Sequence, residues 1–391
     1  MTLAGETLAA RRMSRIPPYL FAEIDRRVAA KRASGVDVIA LDIGDPDTPT
    51  PAHVLAAATE ALRHGENHRY ASYFGMPALR EAIAGWYQRR FEVDLDPASE
   101  VLPTLGSKDG ISHLPFALVN PGDVVLMPSP GYPVYLTGTV MADGEPYILP
   151  LSAAHNWLPD LDAVPGDVAA RARILWLNYP NNPTAATAPP EFFEKALRFC
   201  RDHAIVLCHD FPYSEVTFRG YRAPSILQFP GAKEVAVEFH SLSKTFNMTG
   251  WRVGMAVGNP EVLRLLGQVK TNIDSGIFPV VQHAAIAALN GPDLGHLNGI
   301  YEGRQARTLQ VLREIGWPDA TAPDATFYLW LPVPAGYSSV SFATRVLDEA
   351  GVNVTPGNGF GEPGEGYFRV SLTVTDDRLD EALERLRKLR F

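Results

Sequence analysis

Between about residues 50 and 280 the chain repeats one pattern: a helical stretch, a short apolar run, then a cluster of Pro, Gly, Ser or Asp. The runs include Val124-Val125-Leu126-Met127, Ile174-Leu175-Trp176-Leu177, Ala204 to Cys208 and Val235 to Phe239. Apolar runs this short, alternating with helices, predict the buried strands of a mostly parallel sheet. In open sheets of this kind the loops beyond the strands' carboxyl ends carry the ligand site. Those clusters are therefore where chemistry is sought.

At 391 residues the chain exceeds what one core usually serves. The expected fold is α/β: a large domain around the parallel sheet, with a smaller α+β domain. Residues 1–18 read as an extended arm closed by Ile16-Pro17-Pro18, because residues before proline avoid helical angles. Tyr19 to Ala33 reads as a helix, with Leu20, Ile24 and Val28 at fourfold spacing. Val38 to Ile43 reads as a strand entering the turn Gly44-Asp45-Pro46-Asp47. A long helix is expected over 280–312, broken at Gly291-Pro292. Strands Phe327–Leu331 and Phe368–Leu372 and an amphipathic helix Leu379–Leu389 follow. The expected division is 1–45 (arm and part of the small domain), 46–285 (large domain) and 286–391 (small domain).

Thirty-five Lys and Arg against 44 Asp and Glu, without basic runs, argue against nucleic acid as a main partner. Two cysteines exclude a disulfide scaffold. No apolar stretch is long enough to span a bilayer and no signal core follows Arg11 and Arg12, so a cytoplasmic, membrane-free location is expected. The histidines show no metal-ligand spacing, so no metal is expected. Gly359-Phe360-Gly361-Glu362-Pro363-Gly364 fits a dinucleotide pattern literally. Pro363 interrupts it and a strand follows, so it reads as a glycine-rich loop near the substrate.

The strongest chemical string is Ser241-Leu242-Ser243-Lys244-Thr245, continuing to Gly250-Trp251-Arg252-Val253-Gly254. A lysine at a strand end, near a second cation, can be held neutral, and a neutral amine is what imine chemistry requires. Taken alone, a solvated loop lysine is the better reading. The neighbours reverse it. Asp210 and Tyr213 follow one apolar run, and Asn181-Asn182-Pro183-Thr184 follows another. Thr104 to Gly110 precedes a helix expected near Ile111, and its backbone N–H groups and hydroxyl suit a phosphate.

These residues, over essentially the whole length, resemble the fold-type I, pyridoxal-5′-phosphate-dependent class I/II aminotransferases. The resemblance implies that Lys244 carries the cofactor as an imine and that Asp210 pairs with its ring nitrogen. A carboxylate there keeps the ring protonated and a better electron sink. It implies that Asn182 and Tyr213 bond the phenolic oxygen, while Ser107, Lys108, Ser241 and Arg252 bind the phosphate. Tyr70 would reach that phosphate from the other subunit of a homodimer with shared sites. Tyr132 would stack on the ring, although a packed turn aromatic is the alternative reading. Arg369 would clamp the substrate carboxylate beside Gly44; an arginine in an apolar strand needs an anionic partner in any case.

Within the superfamily the chain looks most like the LL-diaminopimelate aminotransferases. That likeness rests on Pro17 to Asp25, Gly44 to Asp47, Gly106 to Ile111, Ser243 to Trp251 and Lys270 to Gly276. It implies transfer between LL-diaminopimelate and 2-oxoglutarate, in lysine biosynthesis, by a ping-pong mechanism. It puts Asn272 and Tyr73 near the substrate, with Lys108 serving substrate or phosphate. Plant-type members carry a glutamate where this chain has Tyr73. Aspartate, alanine or broad-specificity transamination is the neighbouring reading. A C–S β-lyase and a non-catalytic cofactor-binding regulatory module are the more distant ones.

Overall fold

The computed structural model describes residues 8–16, 20–317 and 321–389. Pro17, Pro18 and Tyr19, which close the expected arm and open its helix, lie outside them, and the helix is described over Leu20–Ala33. The arm is not extended throughout: Arg11–Arg15 forms a 3-10 turn. Arg12 ties that turn to the Met141 carbonyl and the Asp143 carboxylate, beside helix Val134–Met141.

The strands, in chain order, are β1 (Ile39–Ala40), β2 (Val101–Thr104), β3 (Val124–Ser129), β4 (Glu145–Pro150), β5 (Ala172–Leu177) and β6 (Val206–Asp210). They continue with β7 (Ala236–Ser241), β8 (Gly254–Gly258), β9 (Tyr328–Pro332), β10 (Val352–Asn353), β11 (Thr355–Pro356) and β12 (Tyr367–Ser371). Seven form one sheet in the order β2-β8-β7-β6-β5-β3-β4. All run parallel except β8, which is antiparallel to both neighbours. The apolar runs locate these strands, but the ladders do not stop where apolarity does. β6 starts two residues later than its run and continues through His209 and Asp210, which pair with Glu238 and Phe239 of β7. β1 is shorter than expected: only Ile39 and Ala40 pair with β10. The expected long helix is two, Pro279–Asn290 and Asn298–Glu314, parted around Gly291-Pro292.

Successive side chains of a strand face opposite sides, so each buried strand feeds two cores. Leu126, Leu175 and Leu207 pack with helices Pro77–Phe91 and Pro190–Asp202. Val125, Ile174, Trp176 and Cys208 pack with Ser107–Leu118, Val134–Met141 and Pro260–Ile273. Helix Pro190–Asp202 buries Phe192, Phe193, Ala196, Leu197 and Cys200, one stripe at helical spacing. Each of its large apolar side chains contributes about 1.5–3 kcal/mol. A third core gathers Ile39, Leu41, Leu329, Phe342, Val352, Phe368 and Leu379 around the antiparallel sheet β11-β12-β9. Because β5, β6 and β7 are parallel, Asn178, Asp210 and Ser241 sit at one edge of the large sheet, facing that smaller unit.

Candidate active site

Between the carboxyl ends of β5 to β7 and strands β9 and β12 lies a cavity of about 360 Å³. Lys244 enters from the turn Leu242–Thr245, which starts where β7 ends; the Ser241 hydroxyl caps it by accepting the Ser243 N–H at 3.2 Å. Its Nζ donates to the Gly44 carbonyl and lies 5.7 Å from the centre of the Phe327 ring. Burial brings the ammonium's pKa down to about 8; Asp45 opposes this, while Arg369 and Arg252 reinforce it. A useful fraction of Lys244 is thus a neutral nucleophile near physiological pH.

Asp210 faces it from the end of β6. Tyr135 donates its hydroxyl to Oδ2 at 2.7 Å, and the Asn178 amide donates to the Asp210 carbonyl at 2.7 Å. Burial raises the Asp210 carboxyl to about 6, against the lowering effect of the Tyr135 hydrogen bond and of nearby His209. Oδ1 is buried with no hydrogen-bond partner among the described residues.

The opposite end is cationic. Helix Ser107–Leu118 begins four residues before the expected Ile111, because Gly106 adopts φ 79° and the Asp109 carboxylate accepts the Leu105 N–H at 3.0 Å. Ser107 and Lys108 therefore lie in the helix's first turn, the end of a helix whose N–H groups and dipole suit an anion. Arg252 donates to the Thr249 carbonyl at 2.8 Å and presses its guanidinium on Gly106, where any Cβ would collide with it. Burial and the Arg252 charge lower the Lys108 ammonium. Among the described lining residues Asp210 is the one acid, against Lys108, Lys244, Arg252 and Arg369.

Arg369 comes from the middle of β12 and is 2% exposed. It donates to Asn182 Oδ1 at 2.6 Å and to the Asp42 carbonyl at 2.5 Å. Its guanidinium lies 4.2 Å from the Tyr328 ring centre and 4.7 Å from that of Phe360. Tyr328 also bonds the Tyr213 hydroxyl at 3.1 Å, and its own hydroxyl fills the place of a Cβ at Gly44. Position 44 thus requires glycine. Tyr132 lines the cavity, with its ring edge-on to Tyr135 at 6.0 Å.

Three expected residues are not brought there by this chain. Tyr70 is 92% exposed, and Tyr73 is exposed too. Asn272, expected near the substrate, is exposed on helix Pro260–Ile273 and spends its amide on the Gln268 carbonyl at 2.8 Å. In that stretch it is Lys270 that turns inward, bonding Asp274 at 2.6 Å. The Gly359–Gly364 segment forms short 3-10 turns, and Phe360 meets the site through Arg369. Tyr135, Asn178, Thr249 and Tyr328 line or support the cavity without having been anticipated. Asn178, first after β5, had a usable signal; Tyr135 and Tyr328 resemble ordinary core aromatics.

The unpartnered Asp210 oxygen, the partly neutral Lys244 and the cationic turn fit a protonated pyridine bearing an aldehyde and a phosphate. Residues 36–386 match the model of the family "Aminotransferase class I and II", and the chain belongs to that family of pyridoxal-phosphate-dependent enzymes, which move an amino group between amino and oxo acids. It is 55% identical over 380 residues to LL-diaminopimelate aminotransferase of Desulforudis audaxviator, covering 97% of each chain. Substrate-bound BacF from Bacillus subtilis superposes with a TM-score of 0.93 at 36% identity, covering 97% of both. The probable N-succinyldiaminopimelate aminotransferase of Thermus thermophilus gives 0.88 at 38% identity, covering 94% of this chain and 99% of that one. Among the described residues no helix is long and apolar enough to cross a membrane, and no cluster of His, Cys, Asp or Glu could hold a metal ion.

Proposed function

We propose that the protein transfers the amino group of LL-diaminopimelate to 2-oxoglutarate by a ping-pong mechanism, as a step of lysine biosynthesis. The observation that carries this is end-to-end identity above half with a protein of that name, joined to an intact cationic cavity around Lys244. Bound pyridoxal phosphate supplies the electron sink that acidifies the substrate's Cα–H bond. Lys244 would hold the cofactor by its aldehyde carbon, and Asp210 would pair with its ring nitrogen. Asn182 and Tyr213 would bond the phenolic oxygen, and Tyr132 would cover the ring. Ser107, Lys108, Ser241 and Arg252 would hold the phosphate, joined by Tyr70 of a second subunit.

On the substrate side, Arg369 takes the α-carboxylate in a two-pronged bond next to the Gly44 backbone, which turns Cα–H toward Lys244. Displaced from the aldehyde carbon by the substrate's own amine, the freed Lys244 Nζ takes that proton, a task suited to an amine whose pKa burial has brought to about 8. Tyr73 and Asn272 serve the distal end of the substrate; both lie outside this chain's own cavity, so they act there once a homodimer forms. The large unit comprises 46–285, and the smaller one 286–391 with 1–45. Two buried free cysteines suit a reducing compartment, the cytoplasm.

The test is the absorbance of cofactor-loaded protein as LL-diaminopimelate is added without any oxo acid. Conversion of the pyridoxal band to the pyridoxamine band is expected. A band that is present but unmoved, while alanine or aspartate converts it, would transfer the assignment to those donors.

A further inference from the structure

We infer that Tyr135 is a positioning residue for transamination: it keeps Asp210 ionised and fixes which of its two oxygens is offered to the cofactor's ring nitrogen. This rests on the reading that Asp210 is the ring-nitrogen partner. The strand-end pattern does not point to Tyr135, which lies inside helix Val134–Met141.

The geometry is specific. The Tyr135 hydroxyl donates to Asp210 Oδ2 at 2.7 Å, which leaves Oδ1 as the unpartnered buried oxygen. The phenol cannot swing away, because its ring stacks on Trp176 at 5.2 Å and 14° and meets Tyr132 edge-on at 6.0 Å. Trp176 in turn stands on β5, next to β6 in the sheet. The backbone of Asp210 is clamped separately by Asn178, whose side chain also accepts the Asn182 N–H at 2.7 Å. Asp210 is therefore held at its backbone carbonyl and at Oδ2, with Oδ1 left over.

The electrical consequence follows from the neighbours. The ionisable groups around the Asp210 carboxyl are Tyr135 and Tyr132 from one side, Tyr213 from the following turn, His209 on the same strand and Lys244 across the cavity. Burial favours the protonated acid and brings it to about 6, and Tyr135 is the largest influence acting in the other direction. Tyr135 itself stays a phenol, because burial and the Asp210 charge both push its ionisation well above the usual range. It can only donate. Without that bond the carboxyl protonates at higher pH, and a protonated Asp210 cannot pair with a cationic ring.

Tyr135→Phe keeps the stacking and removes only the donor. The measurement is the dissociation constant of pyridoxal phosphate between pH 5.5 and 8.5, with thermal melting of the apoprotein as a check on folding. For the native protein, affinity should fall as pH drops through about 6, where Asp210 takes a proton. In Tyr135→Phe the midpoint should move upward, and affinity at pH 7 should weaken about 10- to 100-fold, the size of a lost hydrogen bond to a charged group. Asp210→Asn should weaken binding most above pH 6, where the native acid is ionised, and progressively less below it, and adding Tyr135→Phe to it should cost little more. Full affinity in Asp210→Asn overturns the reading of Asp210 itself. Weak binding in Asp210→Asn beside an unmoved midpoint in Tyr135→Phe overturns the role of Tyr135 alone. An equal further loss on adding Tyr135→Phe to Asp210→Asn also overturns it, since the phenol would then act independently of the acid.

Discussion

The floor of the cavity and the surface bearing Tyr70 and Tyr73 are built on opposite terms. On the floor, Asp210, Asn178, Ser241 and Arg369 are buried, and hydrogen bonds fix their geometry. On the surface, Tyr70, Tyr73, Phe74, Ile273 and Phe278 stand exposed as large apolar side chains. The parallel strands deliver Asn178, Asp210 and Ser241 to one edge, and β12 of the antiparallel sheet sets Arg369 against them, so the floor is complete within a single chain. Side chains on an outward loop gain nothing from that topology. They contribute only when another surface covers them.

The largest effect should come from the floor. Lys244→Ala removes both the group that holds the cofactor and the proton carrier, and should cut turnover by about 10⁴-fold or more. Single-turnover conversion of the pyridoxal band by an amino donor measures it; a rate within tenfold of the native one would break the assignment. Next is Arg369→Lys, which keeps the charge and loses the fork. Its kcat/KM for every amino donor should fall about 10- to 100-fold, while cofactor affinity changes little. An equal loss of cofactor affinity would mean that Arg369 chiefly braces Asn182 and Asp42.

The smallest effect belongs to the exposed surface. Tyr70→Phe alone should weaken cofactor binding by about tenfold. Mixed with Lys244→Ala subunits, it should give more activity than the two parents summed, because each hybrid then holds one site with both groups intact. Hybrids that form, as affinity tags would verify, yet add no activity would return Tyr70 to an ordinary surface residue.

Where the sequence was readable follows the same division. Asp210, Asn182 and Lys244 each stand just past a recognisable apolar run, so their neighbourhood could be inferred before any coordinates existed. The start of helix Ser107–Leu118 precedes the point the sequence suggests because its signal is a glycine conformation and a capping aspartate, both of which composition hides. Asn272 shares a distinctive stretch with Lys270, but helical periodicity sends one outward and the other into an ion pair with Asp274. Tyr135 and Tyr328 were invisible for another reason. A buried tyrosine is usually core, and only its hydroxyl's partner distinguishes the two cases.

By itself the sequence determined the alternation of strands and helices, the clustering of polar residues at strand ends and the family's chemical string. Those are local properties, set by apolar runs and by residue types next to them. The tertiary structure decided the rest: Arg369 reaching Asn182 from 187 residues away, and Tyr135 claiming one oxygen of Asp210. It also decided the state of Lys244. An amine's readiness to lose its proton depends on how much water and which charges surround it, and burial exists only once distant segments have closed over it.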